Sequence, residues 1–178
     1  NRSGIRKNID PHTKRTMDHG YRCLAVNQCK SEKIMIKRDA LDNWFSLCVR
    51  ERAYWTCERT KFISLDGQAA GKSQSLECCH IYGRRNKNVR WNGMNAVSLT
   101  HYEHRYFTEN PAQFIRWLND YLGEEHMEIL RERVNDVRIK YSKAERKEIS
   151  KHYRLEFRRM RKLRDEGQTG RIEFQNYD

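Results

Sequence analysis

The chain has 178 residues, of which 37% are hydrophobic and 34% charged, and its 36 Lys and Arg against 24 Asp and Glu leave a net charge of +12. That length suits one domain with extensions and a modest core. No run approaches the roughly 20 apolar residues needed to span a bilayer. No apolar segment follows Asn1-Arg2-Ser3-Gly4-Ile5-Arg6-Lys7, so no signal peptide is expected and a cytosolic protein is. A positive surplus of this size attracts polyanions, and the mixing of basic residues with Trp, Tyr, Asn and Glu favours nucleic acid over an anionic membrane. The six cysteines include the adjacent pair Cys78-Cys79 and are irregularly spaced, which points to free thiols or metal ligands, not a disulfide framework.

In chain order, residues 1–38 read as a polar, basic N-terminal arm with His12, His19, Cys23 and Cys29. Cys23-x5-Cys29 is at most half of a metal site, because a structural zinc needs four ligands. From Arg38 to Trp55, Leu41, Trp44, Phe45, Cys48 and Val49 recur at spacings of three and four, predicting an amphipathic helix that Asp39 or Asp42 opens. Arg50 and Arg52 are expected on its outer side. Residues 56–75 read as a short strand or hairpin and a loop. Their Ala70-Gly71-Lys72-Ser73 ending lacks a glycine at the phosphate-loop spacing, so nucleotide binding is not expected.

A strand is predicted from Ser75 to Tyr82, then a basic loop over Gly83–Arg90, a strand near Ala96–Leu99 and a helix from about Thr100 to Phe107. Asn110 caps a further helix with Pro111 at its first position, and Gly123 ends it. The remainder is charged and helical: one helix over Glu125–Val137, and a second opened by the Ser142-x-x-Glu145 capping box. That last helix carries ten Lys or Arg against three Glu between Lys143 and Arg164, and a stripe of Ile149, Tyr153, Phe157, Met160 and Leu163. The stripe offers either packing in cis or pairing in a homodimer. The basic surface offers either a DNA-contacting arm or a solvated face. The divisions expected are therefore 1–38, 39–123 and 124–178, in an α+β chain that is mainly helical.

The segment with chemical content runs Glu77-Cys78-Cys79-His80, then Arg84-Arg85, then Arg90-Trp91-Asn92-Gly93-Met94-Asn95, then His101-Tyr102-Glu103-His104. Phosphodiester hydrolysis needs a base for water, a cation on the phosphate oxygens and groups that hold both. A His ending one strand, an Asn opening the next and a His on the following helix supply that set within one strand-loop-strand-helix unit, a ββα-metal arrangement. His80 is then the general base. His104 is a ligand to one divalent ion, Mg²⁺ or Mn²⁺. Glu77 is its first-strand partner, preferred over Cys79 because a hard ion takes oxygen before thiolate. His101 is a spare ligand, and Arg84, Arg85 and Arg90 are phosphate contacts.

With Cys78-x-His80-Ile81, Arg84-Arg85, Arg90-Trp91, Asn95-Ala96 and His104-Arg105-Tyr106-Phe107-Thr108-Glu109-Asn110-Pro111, the chain resembles the phage HNH endonucleases related to the lambdoid recombination nuclease Rap/NinG. The resemblance spans roughly half the chain. It implies metal-dependent DNA cleavage, on branched or recombination-intermediate DNA, and an Asn95 that orients His80 or ties down the loop. Many such relatives frame the module with two Cys-x-x-Cys pairs on a structural zinc. Here the corresponding positions are Cys57, Thr60, Thr100 and Glu103, so zinc is not expected there, and packing from Trp55, Phe62, Trp91 and Tyr106 is expected in its place. The alternatives to a nuclease are a non-catalytic DNA-binding or recombination accessory module on the same scaffold, and an RNA-binding protein.

Overall fold

The computed structural model describes residues 38–136 and 140–177, all within one unit, Lys33–Asp178. The expectations for the arm, including Cys23 and Cys29, lie outside the described residues. Helix α1, Ala40–Arg52, opens with a reciprocal capping box in which Asp39 accepts from the Asp42 amide and Asp42 from the Asp39 amide. After α1 the chain turns on Tyr54 and Trp55, both left-handed with φ 51°, a conformation bulky residues rarely take. Tertiary contacts hold it. Trp55 is fully buried and its indole N–H donates to Glu51 at 2.7 Å, while Arg164 lies over the Tyr54 ring.

A short helix, α2 (Leu65–Ala70), follows the isolated Thr56–Ile63 bridge, where the sequence reads as a loop. Ser64 caps it, and Gly71, left-handed, ends it. Gly67 packs on Trp55 so closely that a Cβ there would stand 2.4 Å from the indole. The two strands, β1 (Leu76–His80) and β2 (Ala96–Thr100), pair antiparallel from Leu76↔Thr100 to His80↔Ala96. α3 (His101–Glu109) follows directly, then α4 (Pro111–Leu122), α5 (Glu124–Asn135) and α6 (Lys143–Asp165). The fold is α+β, as the sequence indicates.

A two-stranded hairpin is marginal by itself, and here helices cover both of its faces. On one face Cys78 and Ala96 meet Leu41, Phe45 and Val49 of α1. On the other, Cys79, Val97 and Leu99 meet Phe107, Phe114, Leu118 and Met127. Alternation of side chains along each strand produces this split.

Several expectations are corrected. Residues 124–178 are not an appendage to a 39–123 core: Ile149, Tyr153 and Met160 of α6, with Ile172 and Phe174 of the tail, belong to the same buried cluster as α1. The stripe expected to serve either dimerisation or packing is thus used in cis. Arg50 and Arg52 do not face outward. Arg52 is buried and donates to the carbonyls of Gly93 and Ala96, and Arg50 donates to those of Ser46, Ser73 and Leu76. Around Cys57, Trp55 and Tyr106 do pack, but Phe62 is 47% exposed and Trp91 lies in the other cluster. The turn carrying Cys57 is instead tied to the start of α3 by an Arg59–Glu103 ion pair and to β2 by Glu58, which accepts from the Ser98 amide at 2.6 Å.

Candidate active site

At the open edge of β1 lies a cavity of about 630 Å³, walled by α1 on one side and the start of α3 on another. His80, Glu77, His104 and Arg84, separated by up to 27 positions in sequence, all line it. So do Arg38, Asp42 and Arg50, which sequence reasoning did not assign to a site.

His80 is the last residue of β1. Its Nε2 lies 3.0 Å from the Arg90 carbonyl oxygen. A carbonyl only accepts, so Nε2 carries the proton and Nδ1 keeps its lone pair. Burial against Phe45 (ring centroids 5.8 Å apart) disfavours the imidazolium and outweighs the carbonyl contact. The ring's pKa is pushed down to about 4, helped by the charge of Arg84. His80 is therefore a neutral imidazole of fixed tautomer at neutral pH.

The carbonyl that fixes His80 is itself fixed. Asp42, in the first turn of α1, takes the Arg90 guanidinium bidentately at 3.0 and 2.6 Å and the Trp91 indole N–H at 2.9 Å. Arg90 is 6% exposed. Its expected role as a phosphate contact is corrected: the guanidinium is engaged by Asp42, and the residue meets the site through its carbonyl. The Asp42 signal in the sequence was a helix cap; nothing local marks its second task 48 positions away.

Asn95, fully buried, makes no hydrogen bond to His80. Its Oδ1 accepts from the Tyr82 amide at 2.7 Å and its Nδ2 donates to the carbonyls of Tyr82 and Val89, both at 2.9 Å. Of the two roles the resemblance implies, the loop tie is the one present. Both ends of the 81–94 loop, and so the Arg90 carbonyl, hang on this amide.

Glu77 accepts from Nδ1 of His104 at 2.6 Å and from Nδ1 of His101 at 3.1 Å. Burial opposes its ionisation, but the two imidazoles outweigh it and hold the carboxyl below the usual carboxylate range. Nδ1 of His104 is engaged by Glu77, and its Nε2 has no hydrogen-bond partner among the described residues. Cys79 does not line the cavity; it packs into the cluster of Val97, Leu99 and Phe107, and burial holds its thiol protonated. Cys78 lines the cavity, with its thiol pushed up by burial to about 12. Neither is a thiolate at neutral pH, which leaves Glu77 as the first-strand acidic group. Arg85 does not join the cavity. It lines a second depression with Asn86, Lys87 and Asn88.

A hard divalent ion is commonly bound by one or two protein groups together with water and substrate phosphate. An ionised carboxylate beside an imidazole with a free nitrogen, both at one cavity, fits that chemistry. Among the described residues no group of three or more His, Cys, Asp or Glu is arranged to hold a metal ion, and no helix is long and apolar enough to cross a membrane. The chain was compared with family models, curated proteins and solved structures, and none of them matches it.

Proposed function

We propose that the chain is a metal-dependent DNA endonuclease built on a ββα-metal core, in line with its resemblance to the phage HNH endonucleases. One observation carries this reading: a neutral His80 with Nε2 locked on the Arg90 carbonyl lines the same cavity as Glu77, His104 and Arg84. In this reading Nδ1 of His80 takes a proton from water as the water oxygen bonds to phosphorus and the bond to the leaving oxygen breaks. Arg84 and Arg38, neither of which has an ion-pair partner among the described residues, hold non-bridging oxygens. Glu77 and His104 would hold one Mg²⁺ or Mn²⁺, which when bound supplies positive charge to the phosphate and leaving oxygens. Glu77 also orients His104, so its removal acts on both ligands.

The test is nicking of supercoiled plasmid with Mg²⁺, Mn²⁺ or EDTA, beside His80→Ala, followed by branched substrates. Metal-dependent nicking lost in His80→Ala is the expected result. A second reading, a DNA-binding accessory module without catalysis, is prompted by Thr60, Thr100 and Glu103 standing where many HNH relatives have zinc-binding cysteines. Retained DNA binding without cleavage of plasmid or branched DNA under either metal would select it.

A further inference from the structure

We infer that the exposed cationic flank of α6 is a second DNA-backbone surface, on the same side of the molecule as the cavity, that holds the duplex to one side of the scissile phosphate. The inference rests on the proposed nuclease reading only for the identity of the polyanion.

The placement follows from α1. Trp44, Cys48 and Glu51, at spacings of four and three, form the flank that meets α6. Trp44 contacts Phe157 (6.1 Å between ring centroids), the Cys48 thiol reaches the Tyr153 carbonyl, and Glu51 pairs with Arg164. Asn43, Ser46 and Arg50 form the opposite flank and wall the cavity. The two helices run parallel, since Arg146 pairs with Asp39 at the start of α1 and Arg164 with Glu51 at its end. One helix width, about 10 Å, therefore separates cavity from α6. Residues 68–74 join the two: Arg161 donates to the carbonyls of Gln68 and Ala69, and Ser73 and Gln74 line the cavity.

Around α6, moving from the buried stripe past Phe157 and Arg161, the next side chains are Lys143, Lys147, Lys151, Arg154 and Arg158. Their spacings of four, four, three and four put them on one arc. All five are exposed, and among the described residues none forms an ion pair or side-chain hydrogen bond. The acids of this stretch lie on the other side. There Glu156 pairs with Arg159 and accepts from the Gln175 amide. Between Lys143 and Arg158 the helix thus keeps its acids off this arc, with Glu156 turned toward the C-terminal tail and the unpaired cations toward the α1 and cavity side. A charged face that is merely solvated has no need of this sorting. From Lys143 to Arg158 the stripe is about 22 Å long. Over that length one duplex strand presents about six phosphates, a close match to five cations.

The test uses the full chain and a blunt 30-base-pair duplex, with anisotropy titrations in EDTA between 50 and 200 mM NaCl. The variant is Lys147→Gln, Lys151→Gln, Arg154→Gln and Arg158→Gln together. The control removes four exposed cations elsewhere, by Arg105→Gln, Arg116→Gln, Arg131→Gln and Arg133→Gln. The α6 variant is expected to lose at least about tenfold in duplex affinity and to lower the log–log salt slope by up to about 3.6, near 0.9 for each lost phosphate contact. Its melting curve should stay wild-type, and so should its single-turnover cleavage at saturating protein, since none of the four residues lines the cavity. A change no larger than the control's overturns the inference. So does a loss confined to single-stranded RNA, or to phosphatidylserine vesicles, with duplex binding intact. If wild-type protein binds duplex through this stripe but cleaves nothing, the nuclease reading fails and the surface stands. If it cleaves and the stripe variant binds like the control, the surface alone fails.

Discussion

Asp42 links three levels of structure in one carboxylate: it caps α1, compensates the buried Arg90 guanidinium and holds the Trp91 indole. Removing one partner of a buried pair leaves the other charge uncompensated, at a cost of about 3–5 kcal/mol. Asp42→Ala is expected to lower stability by that amount in urea unfolding, whereas a change below about 1 kcal/mol would mean that Arg90 finds water. Asn95→Ala strands the Tyr82 amide and two carbonyls and should cost at least about 3 kcal/mol, at about 1–3 for each buried group left unpaired. Hydrogen exchange reads its locus, with the Tyr82 amide losing protection first. At His80 the sign runs the other way from a salt bridge. Its folded pKa of about 4 lies below its ordinary 6.5, so the unfolded chain takes up the proton first as pH falls. The stability that comes from burying a neutral ring is complete above about pH 6.5 and is lost progressively toward pH 4, on the order of 2–3 kcal/mol. Urea midpoints of the wild type should fall more steeply across that window than those of His80→Asn. Parallel slopes would mean a ring that titrates normally in the folded chain.

Among the elements, α6 was the one whose role its sequence concealed. Its capping box and apolar stripe were readable, and both are present. That the stripe meets α1 in cis was not readable, because periodicity defines a face and not what covers it. The consequence is testable. Met160→Ala or Ile149→Ala should each cost about 2–5 kcal/mol, the range for emptying a buried aliphatic site, and a chain ending after Leu122 should show no cooperative thermal transition. A sharp melt of the truncated chain would restore the 39–123 boundary. α2 was missed for a different reason: six residues with two alanines and one glycine give too short a period to detect. Its place is decided by Gly67, where only hydrogen leaves room for Trp55.

At the scale of the molecule, a thin β1–β2 hairpin stands between two helical layers, and the cavity opens at its edge. Residues expected to act together were collected there where their signal was an alternating strand followed by a capped helix: Glu77, His80 and His104. Arg84, Arg85 and Arg90 look alike in the sequence, three guanidiniums in one basic loop, each able to pair bidentately with a phosphate. Charge does not say whether a guanidinium in a loop finds solvent or a buried carboxylate 48 positions away, and Arg90 finds Asp42.

The amino-acid sequence by itself determined the elements whose causes are local: the caps at Asp39 and Ser142, the start of α4 at Pro111 (where the Asn110 side chain donates back to the Tyr106 carbonyl and does not cap), the stop at Gly123, the strand-loop-strand-helix order and the net positive field. These depend on residues within one or two turns of each other. Tertiary structure alone decided which tautomer His80 holds, that Asn95 ties a loop and does not hydrogen-bond His80, that Arg90 is internal, and that α6 closes the core beside α1. Each of those is a hydrogen bond or a packing contact between distant segments. Each exists only because burial leaves a polar group no water to turn to, so the fold must supply its partner.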